Sequence, residues 1–149
     1  MKRTLRILLT AYYAVYAAAI LAATSGYYIL KSGFKIDPLT SEGTIINSIV
    51  ILYIISTVPL ALALFNKMTK KWALIQDENE QLEKYKSGAI YRILIIGTGL
   101  VLGVVFFYVM NSQSMIFCAG IAAVALFFCK PSENKIMNDL NWNDSNNNN

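Results

Sequence analysis

The chain has 149 residues, a length typical of a single domain. Hydrophobic residues make up 56% of it and charged residues only 15%, whereas about a quarter of the residues in a soluble globular domain are charged. The net charge is +4 and histidine is absent, which removes the commonest general base and metal ligand. This composition predicts an integral membrane protein and excludes histidine-based metal and haem chemistry. We expect neither a cofactor nor a metal.

Four apolar stretches predict four transmembrane helices, at about residues 5–30, 44–66, 88–110 and 113–130. A spanning helix needs roughly 20 apolar residues. The first three stretches meet this length, whereas the fourth has only 15 strictly apolar or small residues. Because the stretches are continuous rather than alternating, they favour helices over barrel strands. We predict an all-α, polytopic membrane protein, with a four-transmembrane-helix bundle over residues 1–140 and a disordered polar tail at 141–149.

The basic residues predict the orientation, because short cytoplasmic segments are enriched in Lys and Arg. Placing the N-terminus, the segment between the second and third helices, and the tail in the cytoplasm puts 11 of the 13 basic residues there. This count assigns Arg92 to the internal segment. We expect a protein of the cytoplasmic (inner) membrane with both termini in the cytoplasm, and no nucleic-acid partner. Cleavage of residues 2–23 as a signal peptide is an alternative that would leave the remaining topology unchanged.

The first predicted helix is rich in alanine, at positions 17, 18, 19, 22 and 23. Tyr12 and Tyr16 lie one turn apart on one face. Small residues allow two membrane helices to approach closely. This helix therefore presents a predicted packing seam, with tyrosine hydroxyls hydrogen-bonded inside the bundle.

The second predicted helix carries the polar residues Asn47, Ser48, Ser56 and Thr57, followed by Pro59. These side chains suggest a path for a solute. However, residues nine positions apart lie about 180° round a helix, so the four do not form one continuous stripe. The alternative is a local kink at Pro59 whose freed carbonyls are satisfied by nearby hydroxyls.

The internal segment between the second and third helices has an apolar stripe at helical spacing, formed by Met68, Trp72, Ile75, Leu82 and Tyr85. We expect a cytoplasmic helical segment here. Its stripe would either dock a cytoplasmic partner or lie at the membrane interface, with nearby lysines on anionic lipid.

Gly99 and Gly103 form a GxxxG motif on one face of the third predicted helix. Such a face can serve as a dimer interface. It can equally pack within the chain, against Ala119, Gly120 and Ala123 of the fourth helix. Both interpretations make these five residues a predicted helix-packing site.

The chemistry within the apolar stretches is sparse. Cys118 and Cys129 are separated by about 16 Å of helix, too far for a disulfide, which needs Cα atoms within about 7 Å. The sequence shows no nucleophile with a nearby base, so we predict no catalytic residue. We expect a non-enzymatic accessory, scaffold or oligomerising subunit that acts through helix packing. Its partners would be the lipid bilayer and either further copies of the chain or a larger membrane protein.

Two other functions are kept as alternatives. One is an oligomeric pore or small-solute channel lined by the polar residues of the second helix. The other is an enzyme at the membrane interface that would use carboxylates such as Asp37, Glu42, Asp77 or Glu80.

Overall fold

Five α-helices make up residues 1–142, the part of the chain that the computed structural model describes. They are α1 (Lys2–Lys31), α2 (Ser41–Trp72), α3 (Glu78–Met110), α4 (Gln113–Phe128) and α5 (Glu133–Asp139). No strand occurs within these 142 residues, and the predicted all-α class is confirmed. From residue 143 onward, the predicted disordered tail lies outside the described residues.

Local side chains set the ends of the long helices. The Thr40 hydroxyl accepts a hydrogen bond of 3.1 Å from the backbone N–H of Gly43, at the start of α2. The Asp77 carboxylate accepts one of 3.0 Å from the N–H of Asn79, at the start of α3. These caps satisfy N–H groups that have no partner in the first helical turn. Asn111 adopts the left-handed conformation, with φ 49°, and this allows α3 to turn directly into α4.

Three helices, α1, α2 and α3, are long and apolar enough to cross a membrane. A fourth span exists if α4 and α5 are counted together, and these two helices meet at a bend of 81°. The 16 residues of α4 extend only about 24 Å. α2 contains Pro59 and remains a single helix. The chain therefore has three or four helices able to cross a bilayer.

The helix α3 is central and packs against α1, α2 and α4. The main core between these helices includes Tyr12, Val15, Ile54, Ile93, Ile96, Leu100, Met115 and Leu126. Large apolar side chains remain exposed on the outer faces of α1, α2 and α4, including Leu21, Leu52, Leu60, Phe117 and Phe128. Such an apolar exterior suits a lipid environment.

A second core, here called the terminal core, joins the N-terminal part of α1, the α2–α3 hairpin and α5. Its buried members are Leu8, Phe65, Trp72, Tyr85, Ala89, Ile136 and Leu140. α4 begins beside the C-terminal end of α3, and α5 packs near the N-terminal end of α3. The C-terminal part of the chain therefore returns along α3 to the end where α1 begins.

The predicted helical segment between the second and third apolar stretches is largely helical, but it is formed by extensions of α2 and α3. α2 continues to Trp72, a turn occupies residues 73–77, and α3 begins at Glu78. The predicted stripe is therefore divided between two antiparallel helices and the turn that joins them. The reason is that Lys, Glu and Gln are good helix formers, so both helices continue past their apolar stretches until the capped turn.

Candidate functional site

Gly99 and Gly103 are both buried and face different neighbours within the chain. A Cβ atom placed on Gly103 would lie 3.0 Å from the Cβ of Ala119 on α4. One placed on Gly99 would lie 3.5 Å from Cγ1 of Ile54 on α2. These faces are thus occupied by helices of the same chain, which leaves neither glycine exposed to a second copy.

Gly120 and Ala123, the other predicted packing residues, have different surroundings. Gly120 is exposed, and a Cβ atom there would meet no neighbour within 4 Å. Ala123 is half-buried, and its carbonyl accepts a hydrogen bond of 3.4 Å from the Tyr16 hydroxyl. Gly120 lies off the contact because one residue beyond Ala119 is about 100° further round the helix.

The four residues of the predicted polar path are not brought together. The Asn47 side chain accepts a hydrogen bond of 3.3 Å from the Ser112 hydroxyl. Ser48 and Ser56 are exposed on the outer surface, and Thr57 is half-buried. A path lined by all four would therefore need contributions from more than one copy of the chain.

Four of the five residues of the predicted docking stripe pack within the protein. Trp72 and Tyr85 are buried in the terminal core, and Ile75 and Leu82 pack against it. Met68 alone of the five is largely exposed, at 45%. This differs from the expectation of a stripe offered to a partner or to the membrane interface, because the α2–α3 hairpin folds the stripe onto α1 and α5.

Arg92 is the most unusual residue of the structure. It lies in α3, near the end of the apolar stretch, with only 8% of its surface exposed. Its guanidinium carbon lies 3.7 Å from the ring centroid of Phe65 on α2, a cation–π contact. The assignment of Arg92 to the internal segment is therefore corrected: the residue lies within α3, where Phe65 covers its side chain.

The charge of Arg92 has no anionic partner among residues 1–142. Its Nε atom is buried without an acceptor, and none of the hydrogen bonds or ion pairs in this part of the chain involves its guanidinium. A buried charge without a partner costs several kcal/mol. The contact with Phe65 returns only about 0.5–2 kcal/mol. Unpaired donors of this kind are rare in native proteins and mark positions where a ligand is expected.

A groove between α2 and α3, here called the Arg92 groove, contains this side chain. Its inner part has a volume of about 260 Å³ and is lined by Ala61, Leu64, Phe65, Met68, Trp72, Gly88, Tyr91, Arg92 and Ile95. An outer part of about 440 Å³ shares four of these residues and adds Glu83, Lys84 and Ser87. Small-molecule sites occupy roughly 300–1,000 Å³. The groove is thus large enough for part of a ligand and apolar except near Arg92 and at its outer end.

Gly88 and Trp72 form the floor that joins the two parts of the groove. A Cβ atom on Gly88 would collide with the six-membered ring of Trp72, so glycine allows the indole to pack closely against α3. Phe65 meets Trp72 edge-on with ring centroids 5.9 Å apart, and it meets Tyr85 in the same way at 5.3 Å. These contacts hold the ring beneath Arg92 in place.

Polar contacts tie the C-terminal part of the chain to the α2–α3 hairpin. The Tyr85 hydroxyl donates a hydrogen bond of 2.8 Å to the Asp139 carboxylate. The Trp142 indole N–H donates one of 2.6 Å to the side-chain carbonyl of Gln81. The Gln81 amide in turn donates to two backbone carbonyls of the turn 73–77. Trp142 is therefore part of this network, although it lies within the predicted polar tail at 141–149.

Metal-ligating groups are scattered. Within residues 1–142, no three His, Cys, Asp or Glu side chains come close enough together to hold a metal ion. Cys118 and Cys129 are both buried as free thiols.

Comparison with known proteins finds no family model, no curated protein and no solved structure that matches the chain.

Sequence reasoning missed Arg92, Gln81, Asp139 and Trp142 as parts of a site. Each of them acts through a residue distant in sequence, so spacing along one helix could not reveal them. The one available signal was the position of Arg92 within the third apolar stretch, which spans about residues 88–110. An arginine inside a membrane segment is a candidate functional residue in its own right.

Proposed function

We propose that this chain is a non-enzymatic subunit of the cytoplasmic membrane that associates with a second copy or a larger membrane protein through the outer face of α1. The observation that carries the proposal is a run of small residues on that face. Thr10, Ala14, Ala17 and Ala18 are all exposed. They differ from the glycines of α3, which neighbouring helices of the same chain already cover.

The surface around these residues is a shallow, mainly apolar groove of about 690 Å³. It is lined by Lys2, Leu5, Arg6, Leu9, Thr10, Tyr13, Ala14 and Ala17. Small side chains let a second membrane helix approach closely and gain van der Waals contact. Lys2 and Arg6 at one end of the groove would meet anionic groups of the partner or of lipid at the membrane surface.

The proposed topology has four spans, with both termini in the cytoplasm. Two observations support it. Even without Arg92, which is buried in α3, the cytoplasmic side would carry 10 of the 13 basic residues, in agreement with the positive-inside rule. The terminal core also joins the start of α1, the α2–α3 hairpin and α5 at one end of the bundle. The chain from Asn111 to α5 runs from the opposite end of the bundle to the terminal core. A fourth transmembrane span would follow the same course.

Cross-linking of the full-length protein in its native membrane tests the proposed association. We expect an adduct above the 16.6 kDa of the single chain. Ala14→Leu and Ala18→Leu should remove most of it, because each leucine holds a partner helix away from α1. Gly120→Leu is the matched control, since it adds similar bulk to another exposed face and should leave the adduct intact.

Two results would contradict this proposal. One is a single species at the monomer mass before any substitution. The other is an adduct that survives both alanine substitutions and disappears with Gly120→Leu, which would move the contact to α4.

A further inference from the structure

We propose that the Arg92 groove binds the phosphate headgroup of an anionic phospholipid from the surrounding bilayer. The guanidinium of Arg92 would supply the phosphate contact, and the apolar wall between α2 and α3 would hold the start of an acyl chain. This site is separate from the outer face of α1, and the inference does not depend on the proposed association.

The Arg92 side chain has hydrogen-bond donors that no acceptor in residues 1–142 satisfies. Its guanidinium carries five N–H donors, the residue as a whole is only 8% exposed, and the Nε atom is buried without an acceptor. A phosphate oxygen is the acceptor that suits this planar fork, often through two parallel hydrogen bonds. The ring of Phe65 lies on one face of the guanidinium, so its in-plane donors are left for such a ligand.

The Arg92 groove opens on the outer surface of α2 and α3. Leu64, Met68, Tyr91 and Ile95 form its rim and are 38–67% exposed. All four lie on helices long and apolar enough to span a membrane. A ligand that enters past these side chains comes from the lipid phase, which favours a lipid over a soluble anion.

The charged residues of the groove are divided between its two parts, with Arg92 in the inner part and Glu83 and Lys84 in the outer part. Lys71 is exposed and lies on the same face of α2 as Leu64, seven residues away. Lys84 lines the outer part and forms an ion pair of 2.6 Å with Glu80, and Glu83 lines the same part. Glu83 and Glu80 lie nine and twelve positions before Arg92, about two and a half and more than three turns of α3 away from it. Of the two cations that line the groove, Lys84 is paired with Glu80, and Arg92 has no acidic partner among residues 1–142. Basic side chains between membrane helices are typical contacts for anionic headgroups.

Native mass spectrometry of the full-length protein tests the inference. The probes are dioleoylphosphatidylglycerol and, as the zwitterionic reference, dioleoylphosphatidylcholine. We expect the anionic lipid to bind more tightly. Arg92→Gln should weaken its binding roughly ten- to a hundredfold, the worth of hydrogen bonds to a charged group, and should weaken the zwitterionic lipid less, because the choline cation of that lipid already opposes its phosphate charge. Arg3→Gln removes the same charge from an exposed position and should change neither affinity.

Two further variants separate the loss of charge from the loss of fold. Arg92→Lys keeps the charge and should retain part of the preference for the anionic lipid. Met68→Glu leaves Arg92 in place and adds a carboxylate at an exposed rim position, so it should abolish the preference. The inference is overturned if Arg92→Gln binds the anionic lipid as tightly as the unsubstituted protein, or if Arg3→Gln weakens binding equally.

Trp72 provides an independent readout because it lines both parts of the groove. In a Trp142→Phe background, brominated phosphatidylglycerol should quench its fluorescence more strongly than brominated phosphatidylcholine, and Arg92→Gln should remove this difference. Equal quenching by the two lipids before substitution would refute the site. Excess inorganic phosphate should not displace the lipid, and displacement would identify a soluble anion as the ligand instead.

Discussion

At the scale of single residues, Gly103 shows how a missing side chain brings two helices together. Its α-carbon faces Ala119 so closely that an added Cβ would lie 3.2 Å from the backbone nitrogen of Ala119 as well as 3.0 Å from its Cβ. A backbone atom cannot move aside as a flexible side chain can. The α3–α4 contact therefore depends on glycine at this position.

Gly103→Val should destabilise the protein by about 1–3 kcal/mol, because two added methyl groups force α4 away from α3. The measurement is the free energy of unfolding of the purified protein in mixed micelles. Gly120→Val is the matched control and should lie near zero, since nothing is within 4 Å of that position. Equal losses for the two variants would mean that the close contact contributes nothing specific.

Arg92 marks the limit of prediction for a single residue. Its position near the end of an apolar stretch made it resemble the many loop arginines that set membrane orientation. Its burial depends on Phe65, which is 27 positions away on another helix. No periodicity within one helix carries that information, so the unpaired charge became apparent only in the folded chain.

At the scale of helices, the apolar stretches predicted the positions of α1 to α3 well because lipid demands long uninterrupted runs. The polar extensions of α2 and α3 were not predicted, since charged residues are compatible with both a helix and a loop. α5 was missed as well. It has seven residues, and its stability comes from contacts of Ile136 and Leu140 with distant helices.

The substitution Tyr85→Phe should weaken the packing of α5 against the terminal core. This change removes the hydrogen bond of 2.8 Å to Asp139, and hydrogen bonds to charged groups contribute roughly 1.5–3 kcal/mol. We expect hydrogen exchange of residues 133–140 to accelerate about tenfold or more, with exchange in the centre of α3 unchanged.

Tyr91→Phe is the control for this experiment, because Tyr91 is 67% exposed and lies on the same helix. It should leave α5 protected. If Tyr85→Phe also leaves α5 protected, the apolar contacts of Ile136 and Leu140 alone hold the helix in place.

At the scale of the whole molecule, the arrangement of the two cores bears on topology. The main core fills the space between four helices, whereas the terminal core gathers the N-terminal part of α1, the α2–α3 hairpin and α5 at one end. With three spans, the chain segments on either side of α4 would lie on the same side of the membrane. With four, the short turn before α4 and the segment after it lie on opposite sides.

Labelling with a membrane-impermeant maleimide distinguishes these topologies. The exposed positions Ser32, Gln76 and Asn134 lie after α1, in the α2–α3 turn and in α5. In right-side-out vesicles we expect Ser32→Cys to react at once, and Gln76→Cys and Asn134→Cys to react only after permeabilisation. The unsubstituted protein is the control and should stay unlabelled, because both native cysteines are buried. Immediate reaction of Asn134→Cys, with Gln76→Cys still protected, would establish three spans and place the C-terminal part outside. That result would contradict the proposed four-span topology, because it would assign residues of the terminal core to opposite sides of the bilayer.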